Sequence, residues 1–170
     1  MVLRIKMAES ILISSEKSDK ISVYDELIRQ LTSLLEGEKE EIICMANTVA
    51  GIKEVFEFLW VGFYRVAEEE LLLGPFQGPV ACNRIGFGKG VCGKAWELGE
   101  TILVPDVNEF PGHISCNASS RSEIVVPLKN ASGKVFAVLD IDSDQIDAFD
   151  STDQRALERL ADYLAEKIYE

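Results

Sequence analysis

The chain has 170 residues, 47 % of them apolar and 27 % charged, the balance of one globular domain. With 29 acidic against 17 basic residues its net charge is −12, which repels phosphate backbones and anionic leaflets and excludes nucleic acid and membranes as expected partners. No run approaches the roughly 18 apolar residues of a spanning helix. The apolar run Ile11, Leu12, Ile13 directly follows Glu9 and Ser10 and is shorter than a secretory core of about 7–15 residues, so a cytoplasmic protein is expected.

Residues 1–20 read as a flexible extension ahead of a single domain over 21–170. Leu27, Leu31, Leu34 and Leu35 recur at helical spacing behind Ser22, an N-cap candidate with Asp25 three residues on, and Gly37 closes that helix. Ile42, Met45, Val49, Ile52 and Phe56 alternate steps of three and four and predict a second helix, with Cys44 off its apolar stripe. Segments 58–66, 71–76, 101–104, 123–128 and 134–142 are rich in β-branched and aromatic residues and predict strands. The glycine-rich stretch 86–93 is not a phosphate loop, because no Gly-Lys-Ser/Thr follows; its glycines suit tight turns and close backbone approach before a short helix over 94–97. Segment 106–122 is a long connection without periodicity, and such connections are often functional. Leu157, Leu160, Leu164 and Ile168 predict a last helix, introduced by caps and first-turn acids at 150–153. This order specifies an α+β domain, a central antiparallel sheet flanked by N- and C-terminal helices. The helices either cover their own sheet or join two copies, so a homodimer stays open.

Four cysteines, Cys44, Cys82, Cys92 and Cys116, form no C-x-x-C pair, and His113 is the single histidine. A zinc site needs closely paired ligands, so no metal is expected, and reactive or inert thiols remain. Cys116 lies in the long connection, where backbone amides and His113 would lower its pKa; a plain loop hydrogen bond is the other role open to His113. In the strand Trp60-Val61-Gly62-Phe63-Tyr64 the two aromatics flank Gly62 on one face. That pattern suits either core packing around a β-bulge or the wall of a pocket for a small apolar group. Asp140 and Asp142 share a face with Phe136 and Val138, and Glu123 begins the neighbouring strand. Clustered carboxylates repel unless a cation or a shared proton lies between them, so these acids either emerge into solvent or grip an amine and donate a proton.

Beyond these local patterns, the ordered set Trp60-Val61-Gly62-Phe63-Tyr64, Gly74-Pro75-Phe76-Gln77-Gly78, Ala81-Cys82, Gly90-Val91-Cys92-Gly93, Val104-Pro105-Asp106-Val107, Phe110-Pro111-Gly112-His113-Ile114, Cys116, Ser122-Glu123-Ile124-Val125-Val126-Pro127-Leu128 and Val138-Leu139-Asp140-Ile141-Asp142-Ser143 resembles the GAF-domain free methionine-(R)-sulfoxide reductases. The resemblance runs over residues 60–143. It implies a single GAF-like domain that reduces free L-methionine (R)-S-oxide. Cys116 would be the attacking thiolate and Cys82 the resolving cysteine, with Cys92 an alternative resolver or supporting residue. Trp60 and Tyr64 would hold the substrate methyl group, and Glu123, Asp140 and Asp142 would bind the ammonium and serve the sulfoxide oxygen. No cofactor is implied; thioredoxin would be the reductant and partner. The resemblance departs at Ser115 and Asn117, where relatives commonly carry Ala and Asp. The competing reading is a GAF-type sensor of a small ligand or of redox state, which turns nothing over.

Overall fold

The structure, a computed structural model, describes residues 10–13, 19–114 and 116–169. Much of the expected N-terminal extension, and Ser115, lie outside the described residues. Residues that are described from that extension touch the domain: Gln30 on the first helix holds Leu12 through both its side-chain oxygen and its amide.

Six strands form one antiparallel sheet in the order β3-β2-β1-β6-β5-β4. They are β1 Trp60–Ala67, β2 Glu70–Gln77, β3 Arg84–Gly86, β4 Ile102–Val104, β5 Ser122–Lys129 and β6 Val135–Ser143. Helices α1 Lys20–Leu34, α2 Glu41–Phe56 and α4 Ser151–Tyr169 cover one face; α3 Gly90–Leu98 and the loops around it cover the other. The helices thus cover their own sheet. Among the described residues no helix is long and apolar enough to cross a membrane.

The main core lies under α1, α2 and α4, where Leu27, Leu31, Met45, Ile52, Leu157, Leu160 and Leu164 are fully or almost fully enclosed against Phe63, Leu139 and Ile141 of the sheet. Each such side chain contributes about 1.5–3 kcal/mol by leaving water. One buried carboxylate links the chain ends. Asp153 on α4 accepts a hydrogen bond from the Tyr24 hydroxyl at 2.7 Å and pairs with Lys20, both on α1. Asp153 also receives the Asp150 backbone N–H while Asp150 receives that of Thr152, a reciprocal cap that starts α4 where the sequence places it.

Several local expectations are corrected. The cap of α1 is Asp19, whose carboxylate accepts the N–H of Ser22, so Ser22 lies inside the first turn. Ile42 of the expected stripe on α2 is instead 41 % exposed. The short helix α3 begins at Gly90, inside the glycine-rich stretch, and so carries Cys92. Gly93 allows this: a Cβ there would stand 2.5 Å from the Gly86 carbonyl, closer than any side chain tolerates. Phe136 packs among the core residues beneath the helices and against Tyr169, not in a row with Val138 and Asp140. The pairing slips between Leu128 and Lys129, which face Ala137 and Val135 and leave Phe136 as the extra residue.

Candidate active site

Sheet register assembles the floor of the site. Asp142 on β6 stands opposite Trp60 on β1 and Glu123 on β5, so an aromatic ring and two acids form one row across three strands. One step along, Asp140 stands opposite Gly62 and Val125, and beyond it Val138 opposite Tyr64. Period-two alternation then directs all of these side chains away from the helical core. Gly62 is required because the Trp60 indole lies over it: a Cβ there would fall 2.3 Å from the ring. The indole is stacked between Tyr64 and Phe76, at ring-centre distances of 5.9 and 5.5 Å. The pairing of β1 with β2 also slips between Gly62 and Tyr64, so the glycine serves both a bulge and a packed aromatic wall.

A hollow opens above this floor. Its lining includes Trp60, Tyr64, Cys92, Cys116, Glu123, Asp140 and Asp142, which is every residue given a role by the family resemblance apart from Cys82. Cys82 is there as well, joined to Cys116 in a disulfide with the Cα atoms 5.5 Å apart. The two aromatics tether the segment that carries Cys82. Trp60 Nε1–H donates to the Pro79 carbonyl at 3.1 Å, and the Tyr64 hydroxyl donates to the Cys82 carbonyl at 3.1 Å. Asn117 accepts the Ser119 N–H at 2.8 Å, a side-chain turn within the long connection just after Cys116. Cys92 and Cys44 are free thiols, and both are buried.

Burial dominates the electrostatics. Glu123 and Asp140 are pushed well above the usual carboxylate range, first by loss of water and then by the neighbouring acids. Asp142 is raised by the same loss of water, against a hydrogen bond from the Ser120 hydroxyl that favours its charged form. His113 Nε2 stands 3.6 Å from Glu123 Oε2. The Cys92 thiol is pushed far up by burial and by Asp140 and Glu123, so it stays protonated beside them. Such a floor favours the protonated forms of its acids, and Lys89 borders the hollow with them. Asp140 Oδ1 is buried and accepts no hydrogen bond within the protein.

This arrangement weakens the fold in a pH-dependent way. Asp140 keeps its proton to higher pH in the folded than in the unfolded chain. The fold is therefore favoured while both forms are protonated and loses stability as pH climbs towards the raised value. Replacing Asp140 by Asn removes the ionising group and with it that loss, and is expected to add on the order of 1 kcal/mol at pH 8, the scale of a one-unit difference in pKa between folded and unfolded chain. At about 2–4 °C per kcal/mol for a chain of this size, Tm rises by a few degrees. The gain should vanish near pH 4. Calorimetry at both pH values checks it; an unchanged or lowered Tm at pH 8 would refute the account.

Sequence reasoning missed Ser120, which holds Asp142, and it left the place of His113 open between the thiol and the loop; the structure sets it against Glu123. It also passed over β3 and gave no place in the site to the lining residues Ile85, Lys89 and Ile114. Only Ser120 carried a signal, as a hydroxyl ending the long connection directly before the strand that bears Glu123.

A curled antiparallel sheet, helical on one side and hollowed on the other, defines a GAF domain, and the family model described as GAF domain matches residues 44–168. The chain belongs to that family, in the branch that holds the free methionine-R-sulfoxide reductases. It is 41 % identical over 155 residues to the free methionine-R-sulfoxide reductase of Saccharomyces cerevisiae, with 86 % of each chain covered. It is 50 % identical over 155 residues to GAF domain-containing protein A of Dictyostelium discoideum, covering 91 % of this chain and 96 % of that one. The X-ray structure of the free methionine-R-sulfoxide reductase from Neisseria meningitidis, in complex with its substrate, superposes with a TM-score of 0.88 at 46 % identity, covering 93 % of this chain and 95 % of that one.

Proposed function

We propose that the protein reduces free L-methionine (R)-S-oxide to L-methionine. The observation that carries this is the Cys82–Cys116 disulfide set at a hollow with a floor of buried acids and an aromatic wall. In the reduced enzyme the Cys116 thiolate attacks the sulfoxide sulfur while a floor acid protonates the oxygen. The S–O bond to methionine then breaks as the hydroxyl passes to the Cys116 sulfur and the new Cys116–methionine S–S bond opens, so that methionine leaves and Cys116 is left as a sulfenic acid. The Cys82 thiol attacks that sulfur, water departs, and the disulfide forms. A dithiol reductant of the thioredoxin class returns both thiols by exchange. Trp60 and Tyr64 hold the substrate methyl group, and Cys92 supports the acid pair or resolves in place of Cys82. The reading is tested by incubating the reduced protein with an equal mixture of the R and S sulfoxides of free L-methionine and a thiol reductant. Methionine should appear until half of the sulfoxide is consumed; no release of methionine would refute it.

The substrate should be the free amino acid. Its ammonium offsets the repulsion among Glu123, Asp140 and Asp142, whereas an acylated nitrogen carries no charge, and a peptide chain must also pass beneath the 106–121 connection. N-acetylation of the substrate is expected to lower kcat/KM by at least about 10²-fold, roughly 2.7 kcal/mol of transition-state binding. Comparable rates for the two compounds under one reducing system would show that the acids do not hold the amine.

A further inference from the structure

The acid floor contains a donor set that the proposed reduction does not use as such. The Cys92 sulfur and one carboxylate oxygen each from Glu123 and Asp140 lie within 4.8 Å of one another, all three residues buried. They come from three elements, α3, β5 and β6, so no spacing in the sequence announces them. The paired-ligand pattern of a structural zinc site is absent from the chain, and this set is of a different kind. We propose that Cys92, Glu123 and Asp140 form a site for a borderline divalent cation of the Zn²⁺ type, and that the cation occupies the hollow in competition with the amino acid substrate.

Three observations support it. One thiol with two carboxylates is a mixed soft and hard set that suits Zn²⁺ or Co²⁺ better than Mg²⁺ or Ca²⁺, which take oxygen ligands alone. Metal–ligand bonds of about 2.0–2.3 Å place tetrahedral ligands roughly 3.5 Å apart, so side chains already within 4.8 Å need draw in by little more than about 1 Å. Asp140 Oδ1 is a second pointer: although its carboxyl group interacts with Cys92 and Glu123, this one buried oxygen, on a residue that borders the hollow, accepts no hydrogen bond. The charge argument has the same sign. Buried acids that repel one another are relieved by the single charge of an ammonium and more strongly by a dication, which displaces the protons of the thiol and the acids to solvent. The hollow gives the ion its path, because the three ligands line it together with exposed Val80.

The metal site itself stands on the geometry alone; the competition rests on the proposed substrate. Co²⁺ added to the protein with the Cys82–Cys116 disulfide intact is the probe, since Cys92 and Cys44 are then the only thiols. A near-ultraviolet thiolate-to-Co²⁺ charge-transfer band is expected to saturate at one equivalent per chain. Cys44→Ala should keep the band and Cys92→Ser should lose it. Asp140→Asn, a gentler change in the same cluster, should weaken Co²⁺ binding at least about 10-fold, roughly 1.4 kcal/mol. Absence of the band, or its survival in Cys92→Ser, overturns the site. Free methionine sulfoxide should diminish the band in the wild type. A band that it leaves untouched overturns the competition, and a metal-free protein that turns over no methionine sulfoxide overturns the proposed reduction instead.

Discussion

Cys116→Ser is expected to lower sulfoxide reduction by at least about 10³-fold, the scale on which removing a nucleophile acts. A serine hydroxyl is a far weaker nucleophile than a thiolate, and the step needs a sulfur that can take the oxygen as a sulfenic acid. Cys82→Ser separates the two thiols. Its Cys116 remains free to attack, so one equivalent of methionine per chain should appear in the first turnover, followed by arrest with Cys116 trapped as sulfenic acid by a dimedone-type reagent. Rapid-quench measurement of methionine in both variants decides the assignment. A normal first turnover in Cys116→Ser would move the nucleophile elsewhere, and Cys92 would be the next candidate. Loss of the first turnover in Cys82→Ser would mean that the roles of Cys82 and Cys116 are exchanged.

Elements that bury one face were legible in the sequence because burial imposes a period. The leucines of α1 and α4 recur every three or four residues and lie against the sheet as expected. The order of helices and strands gave the α+β architecture, and alternation along β6 placed Asp140 and Asp142 together on the lining of the hollow. What escaped depends on residues far apart in the chain. β3 is a three-residue strand, too short for any pattern, and exists only because Glu70, Leu71 and Leu72 on β2 pair with it. Phe136 changes face through a pairing slip that involves Leu128 on another strand. Asp19 outcompetes Ser22 as a cap within one turn, where both are good cap residues. The disulfide is similar: Cys82 and Cys116 are 34 residues apart, and only the ordered family motifs pointed to their roles.

The acids should affect the chemistry as strongly as one general acid can. A sulfoxide oxygen leaves poorly as oxide, so attack at sulfur requires a proton delivered as the bond breaks. Glu123 is suited to this, being buried, raised well above the usual carboxylate range by desolvation and Asp142, and close to His113. Asp142 is held by Ser120, which favours its charged form and suits it to orienting the sulfoxide or passing a proton to Glu123. Glu123→Gln and Asp142→Asn keep size and lose the titrating proton, and each is expected to slow the chemical step by about 10²–10⁴-fold. Asp140→Asn should act mainly on KM, because its unpaired oxygen is the acceptor left for the ammonium. The sign with pH follows from the donor being active while protonated. Wild-type single-turnover rate should fall as pH rises through the raised value of the acid pair, and Glu123→Gln should flatten that limb. Equal rates for all three variants, or an alkaline limb unchanged in Glu123→Gln once Cys116 ionisation is allowed for, would remove the floor acids from proton delivery.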